Sequence, residues 1–141
     1  MKTYIFLSVT VSILLLFGIG FFSSSTDTNI LGAQSPFTGL SPQTFNNELR
    51  TGNYILLDIR TMEEYNSGHI SHAKHIDFYQ TQSFSTYLDA LDKNAQYLIY
   101  CRSGNRTKSA LSLMKDKGFT SAWDLSGGHN AWTALGLPIE K

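Results

Sequence analysis

The 141-residue sequence has a single cysteine, so no disulfide can form within the chain. Zinc sites built on paired cysteines are excluded with it. Formal net charge is zero, and no general basic field points to nucleic acid. Lysine and arginine are absent between Lys2 and Arg50. No charge of either sign occurs from Tyr4 to Phe22, and no carboxylate between Lys93 and Lys115. The chain carries no internal repeat. With its N-terminal stretch set aside, it has room for one domain of ordinary size.

The uncharged stretch is itself a signal. As a helix, Tyr4 to Phe22 spans roughly 28 Å at about 1.5 Å per residue, close to the hydrocarbon thickness of a bilayer. Lys2 is the only cation before it. The positive-inside bias therefore puts the N-terminus in the cytoplasm and the remainder outside. Residues 1–22 are expected to be a signal peptide or a membrane anchor, and residues 23–36 a polar, small-residue linker. The expected location is beyond the cytoplasmic membrane, either soluble after cleavage or anchored. No cysteine stands nearby to carry a lipid.

From residue 37 onward, strand and helix signals alternate. Ser41 can cap a helix that starts with Pro42, with Leu40 stapled onto Phe45 and Gly52 as its stop. Tyr54–Asp58 and Tyr97–Tyr100 are short apolar runs that fit strands covered on both faces. Thr61 and Glu64 form a capping box for a second helix that ends near Gly68. Further elements are expected at Ala73–Ile76 (strand), Ser83–Leu91 (helix), Thr107–Lys117 (helix), Ala122–Leu125 (strand) and Ala131–Leu135 (helix). This alternation predicts an α/β fold with a mainly parallel sheet.

Cys101 stands where one of these strands gives way to a helix. Backbone N–H groups and the helix dipole at such a junction stabilise an anion. Arg102, Arg106 and Lys108 follow closely, without a neighbouring acid in sequence. A small buried cysteine gains nothing from such a loop, so Cys101 is the candidate nucleophile. Two arginines in one short loop with it argue for binding of an anion.

Three blocks of residues, in order, resemble the rhodanese family. The first is Leu57-Asp58-Ile59-Arg60 with Glu64-Tyr65 and Gly68-His69-Ile70. The second is Tyr100-Cys101-Arg102-Ser103-Gly104-Asn105-Arg106. The third is Leu125-Ser126-Gly127-Gly128 with Ala131-Trp132 and Gly136-Leu137-Pro138. The resemblance covers residues 37–141 and is to the single-domain type. It implies a five-stranded, mainly parallel sheet with helices on both faces. It also implies a sulfurtransferase in which Cys101 carries sulfane sulfur as a persulfide. Arg102, Ser103, Gly104, Asn105 and Arg106 would then wrap the sulfur and receive a sulfur-donor anion such as thiosulfate. A thiophilic acceptor would take the sulfur on, with no metal or organic cofactor. The family often has Pro-Gly after Gly-His-Ile, where this chain has Ser71-His72.

Two other function classes compete. Cysteine-dependent phosphatases and arsenate reductases also set a cysteine and an arginine on a loop before a helix. Their loops hold one residue more than the four between Cys101 and Arg106. A non-catalytic binding module at the membrane is the third class, and an intact cysteine loop weighs against it. Elsewhere, Asp58 is expected to accept local hydrogen bonds and Arg60 to pair with a carboxylate such as Glu64. His69, His72 and His75 recur every third residue, but three imidazoles on a turn make a weak metal site. Trp132 is expected in the core.

Overall fold

A computed structural model describes residues 34–141. The expected signal or anchor segment, and most of the expected linker, lie outside the described residues. No helix among the described residues is long and apolar enough to cross a membrane.

The elements follow in the order β1 (Gly39–Leu40), α1 (Pro42–Arg50), β2 (Ile55–Asp58), α2 (Met62–Asn66), β3 (Lys74–His75), α3 (Thr81–Asp89), β4 (Gln96–Tyr100), α4 (Asn105–Asp116), β5 (Ser121–Leu125) and α5 (Gly128–Ala134). The five strands form one sheet in the order β1-β5-β4-β2-β3, and every pairing is parallel. β4 is central, with Leu57 beside Ile99 on one flank and Leu98 beside Trp123 on the other.

Strand side chains alternate between faces, which divides the core in two. Leu57, Tyr97, Ile99 and Ala122 pack with Phe84 and Leu88 of α3 and with Ala110, Leu111 and Met114 of α4. Leu56, Leu98, Tyr100, Trp123 and Leu125 pack with Phe45 of α1 and Trp132 of α5. The helices thus cover both faces, as parallel strands require. Each of the fully buried leucines contributes about 1.5–3 kcal/mol through burial.

The local signals behave as their chemistry demands. Ser41 Oγ accepts the Thr44 N–H at 3.2 Å, and Pro42 opens α1. In α2 the capping box closes both ways: Thr61 N–H donates to Glu64 Oε2 at 3.0 Å and Glu64 N–H to Thr61 Oγ1 at 3.3 Å. Trp132 is buried, sits edge-on to Phe45 and donates its indole N–H to Pro138 O.

Two features are set by tertiary contacts rather than by local sequence. β1 exists because Gly39 and Leu40 pair with Asp124 and Leu125. The chain before it is already docked: Ser35 O accepts the Trp123 indole N–H at 3.1 Å, and Phe37 N–H donates to Ala122 O at 2.7 Å. The folded unit therefore reaches back to Ser35. At Ser71-His72 the turn is kept without glycine, because His72 itself takes a φ of 64°. Glu140 secures it, accepting from the Ser71 hydroxyl and from the His72 N–H.

Candidate active site

Cys101 follows β4 directly, at the carboxyl end of the central strand. In an open parallel sheet this is where ligands bind. Its side chain is fully buried on the face of the sheet covered by α3 and α4. The loop that follows turns at Gly104, whose φ of 91° is left-handed and which N-caps α4. That turn brings the Gly104 N–H to 3.2 Å from the Cys101 sulfur. Thr107, also buried, donates its hydroxyl toward Gly104 O at 2.9 Å and fastens the turn from below.

The loop is also held from behind by the start of α5. His129 N–H donates to Cys101 O at 2.8 Å, and Asn130 N–H to Arg102 O at 3.0 Å. Such an approach needs a bare backbone at Gly128. A Cβ there would lie 2.5 Å from Cys101 O and 2.7 Å from Arg102 O, and φ is +62°. The Gly127-Gly128 pair is therefore the seat of the cysteine loop. The His129 ring stacks on Tyr100, with its Nε2 buried and unpartnered. Burial, then the charge of Arg60, pushes its pKa down, which keeps the ring neutral.

The loop's two arginines have different surroundings. Arg102 is exposed. Arg106 is half-buried and clasped by Glu64 in a two-pronged ion pair, Nη1 to Oε2 at 2.7 Å and Nη2 to Oε1 at 2.9 Å. The sequence shows no acid near Arg106, and folding supplies one from α2. This changes the expected electrostatics: Arg106 reaches the loop already charge-compensated. Arg60 pairs with a carboxylate as expected, but the partner is not Glu64. Arg60 instead turns back on Asp58, with Nη2 2.6 Å from Oδ2, and also donates to Gly68 O. Asp58 accepts the Arg60 N–H as well, at 2.9 Å, so its role as a local acceptor holds.

Above the loop lies a cavity of about 400 Å³, lined by Thr61, Glu64 and Tyr79 and by the loop residues Arg102, Ser103, Asn105 and Arg106. Tyr79, 63% exposed, forms part of its rim, and the Arg106 guanidinium sits 5.2 Å from the ring centre. Nothing in the sequence singles out Tyr79. It arrives from the turn before α3, and only the fold brings it to Arg106. The three histidines of the turn make different contacts and do not converge on one point. His69 stacks on Tyr65 at 3.8 Å and faces Glu140, His75 Nε2 contacts Arg60 O at 2.8 Å, and His72 makes the turn. No group of potential metal ligands gathers among the described residues.

The Glu64–Arg106 pair has a consequence for acid stability. Arg106 holds the Glu64 carboxyl at about 2, well below its ordinary 4.5. A depressed carboxyl stabilises the fold above its unfolded value and loses that contribution as pH falls through the folded one. Glu64→Gln keeps an acceptor for the capping box but loses the ion pair. The stability gap between parent and E64Q is expected to be constant above about pH 5 and to close between about pH 4.5 and 2. Urea unfolding at a series of pH values measures it. A gap that persists undiminished at pH 2 contradicts this origin.

Comparisons with known proteins agree with this fold. The pattern of the Rhodanese-like domain matches residues 41–135. A protein of Ectopseudomonas mendocina called thiosulfate sulfurtransferase GlpE is 33% identical over 100 residues, 71% of this chain and 88% of the relative. Its namesake in Actinobacillus succinogenes is 26% identical over 104 residues, 74% of this chain and 91% of the relative. A crystal structure of a rhodanese-related protein from Thermoplasma volcanium superposes with a TM-score of 0.63, at 21% identity, over 73% of this chain and 97% of that one. The rhodanese-like domain of an Anabaena protein, solved by NMR, gives 0.63 at 27% identity over 72% of this chain and 77% of that one. In fold and in sequence, this chain belongs to the single-domain rhodanese family.

Proposed function

We propose that the protein is a sulfurtransferase that moves sulfane sulfur from thiosulfate, or a similar anionic donor, to a thiophilic acceptor through a persulfide on Cys101. The observation that carries this reading is the short loop itself. A buried cysteine sulfur faces the N–H of the residue that caps the next helix, with only four residues before Arg106. The names of the two bacterial relatives point to the same chemistry.

In the first half-reaction the Cys101 thiolate attacks the outer sulfur of thiosulfate. A new sulfur–sulfur bond forms, the donor's own breaks, and sulfite leaves with the bonding electron pair. In the second, the acceptor attacks the terminal sulfur, and the Cys101 thiolate is the leaving group. Atoms and charge balance without a redox partner. This is double displacement through a covalent intermediate. The Gly104 N–H is placed to stabilise negative charge on sulfur, as donors aimed at a developing anion do. Arg102 is the exposed cation at the mouth that can draw in the donor, while Arg106, compensated by Glu64, shapes the wall. Ser103 and Asn105, both exposed, complete the loop around the entering anion.

A tetrahedral phosphate needs a wider cradle than a single sulfur atom. The protein is therefore expected to accept sulfur from thiosulfate and to leave an aryl phosphate intact. Side-by-side turnover assays with thiosulfate plus cyanide and with an aryl phosphate decide the matter. Rapid phosphate release without sulfur transfer overturns the proposal in favour of a cysteine phosphatase.

The uncharged Tyr4–Phe22 stretch, with Lys2 as its only flanking cation, supports export of the domain across the cytoplasmic membrane. Protease added to intact spheroplasts of an expressing bacterium is expected to digest the domain. Digestion only after lysis contradicts export.

A further inference from the structure

Behind the cysteine loop, on the side away from its mouth, lies a buried carboxyl that the chemistry above does not use. Asp124 is the fourth residue of β5 and only 8% exposed. It projects toward α4, where its Oδ2 is 3.0 Å from the Thr107 hydroxyl. The same hydroxyl is 2.9 Å from Gly104 O. Gly104 in turn presents its N–H to the Cys101 sulfur at 3.2 Å. A continuous line of contacts therefore runs from β5 through Thr107 and Gly104 to the candidate nucleophile.

We propose that Asp124 is a positioning residue for the cysteine loop, holding Gly104 against Cys101 through a Thr107 relay that the proton on its carboxyl directs. The reason is a count of hydrogens. A hydroxyl has one hydrogen to give, and a carbonyl oxygen only accepts. With the carboxyl protonated, Asp124 donates to Thr107 Oγ1, Thr107 donates to Gly104 O, and every link is made. With the carboxylate, two acceptors compete for one hydrogen. The charged one wins, because hydrogen bonds to ionised acceptors are the stronger. Gly104 O then loses its side-chain donor, and the turn that aims the Gly104 N–H is held less firmly. Protonation of Asp124 tightens the loop, and ionisation loosens it.

The surroundings allow this titration. Asp124 has no salt-bridge partner among the described residues. The charged groups that face it are Lys108 and Lys115 of α4, which share with it the wall of a cavity of about 620 Å³. β1 offers only Gly39 there, the segment after β5 offers Ser126, and the cysteine loop offers Ser103 and Gly104. Burial pushes the Asp124 carboxyl up, against the smaller opposing pulls of the Thr107 hydrogen bond, its own backbone N–H and Lys108. The switch therefore falls nearer neutrality than for an exposed aspartate.

The catalytic meaning of this relay rests on Cys101 being the sulfur carrier, but its test does not. In the full-length chain, without thiosulfate, the Gly104 amide proton and the Asp124 carboxyl carbon are followed by NMR from acid to neutral pH. The Gly104 amide is expected to shift in step with the Asp124 carboxyl in the parent. That step is expected to vanish in Asp124→Asn, whose amide donates to Thr107 at every pH, and in Thr107→Val, which lacks the relay. The ratio of sulfur-uptake rates of parent and D124N is expected to change about fivefold across the same step, as for one typical hydrogen bond. A Gly104 amide that ignores the Asp124 titration in the parent overturns the proposal, and so does a step that persists unchanged in D124N. Failure of sulfur uptake alone overturns the sulfurtransferase reading and leaves the relay intact.

Discussion

Cys101→Ser is expected to abolish sulfur transfer, with a loss on the order of a thousandfold or more, as for removal of other covalent nucleophiles. Every step of the proposed cycle passes through a sulfur–sulfur bond to residue 101. A serine hydroxyl cannot form that bond, and it ionises far too weakly to attack thiosulfate at neutral pH. The substitution is nearly isosteric in a site where the side chain is fully buried. The Gly104 N–H can still find an acceptor, so the fold is expected to persist, as circular dichroism will report. Conversion of cyanide to thiocyanate in the presence of thiosulfate measures the loss. Parent-like turnover by C101S refutes the assignment of the nucleophile.

The second large effect concerns stability rather than chemistry. Asp58 and Arg60 are almost wholly buried and joined by several hydrogen bonds at the carboxyl end of β2. The Arg60 guanidinium lies 5.4 Å from the centre of the Tyr100 ring, directly before Cys101. Burial of that ring, then the Asp58 charge beside it, pushes the Tyr100 hydroxyl up, so it stays protonated; it accepts the Ile70 N–H at 3.0 Å. Arg60→Leu leaves a buried carboxylate unpaired, which costs about 3–5 kcal/mol. For a domain of this size that corresponds to a fall in Tm of more than about 10 °C. Replacing both partners together with apolar residues is expected to cost less than R60L alone, because no charge is stranded. Urea unfolding of the single and double variants measures both quantities. A loss below about 1 kcal/mol for R60L contradicts the structural role given to the pair.

The elements that depend on near neighbours in sequence could be read before folding. Tyr97–Tyr100 is apolar on both faces because β4 is the middle strand, and Thr61–Glu64 closes its capping box within one turn of helix. The glycines at 104, 127 and 128 announce a tight loop and its seat, and all three have positive φ. What escaped was set by distance along the chain. β1 has only two residues, and its identity comes from β5 alone. α4 and α5 begin two and three residues earlier than their apolar patterns suggest, since the first turn of each belongs to the loop before it. Glu64 and Arg106 are 42 positions apart, so an arginine that looks uncompensated in sequence is paired in space. Arg60 has three carboxylates within four positions, Asp58, Glu63 and Glu64. The sharp exit from β2, where Asp58 accepts the Arg60 N–H, selects the nearest one. Asp124 reads as one more strand residue until β5 places it beside Thr107.

In the proposed cycle Cys101 itself carries the sulfur, and intact-mass analysis of the purified protein can detect it there. Incubation with thiosulfate is expected to add one sulfur atom to the parent chain, located at Cys101 by fragmentation, and cyanide is expected to remove it. Cys101→Ser is expected to show no change in mass under either treatment. A parent protein that turns over thiosulfate and cyanide with no sulfur adduct at Cys101, under conditions that trap persulfides, contradicts the account.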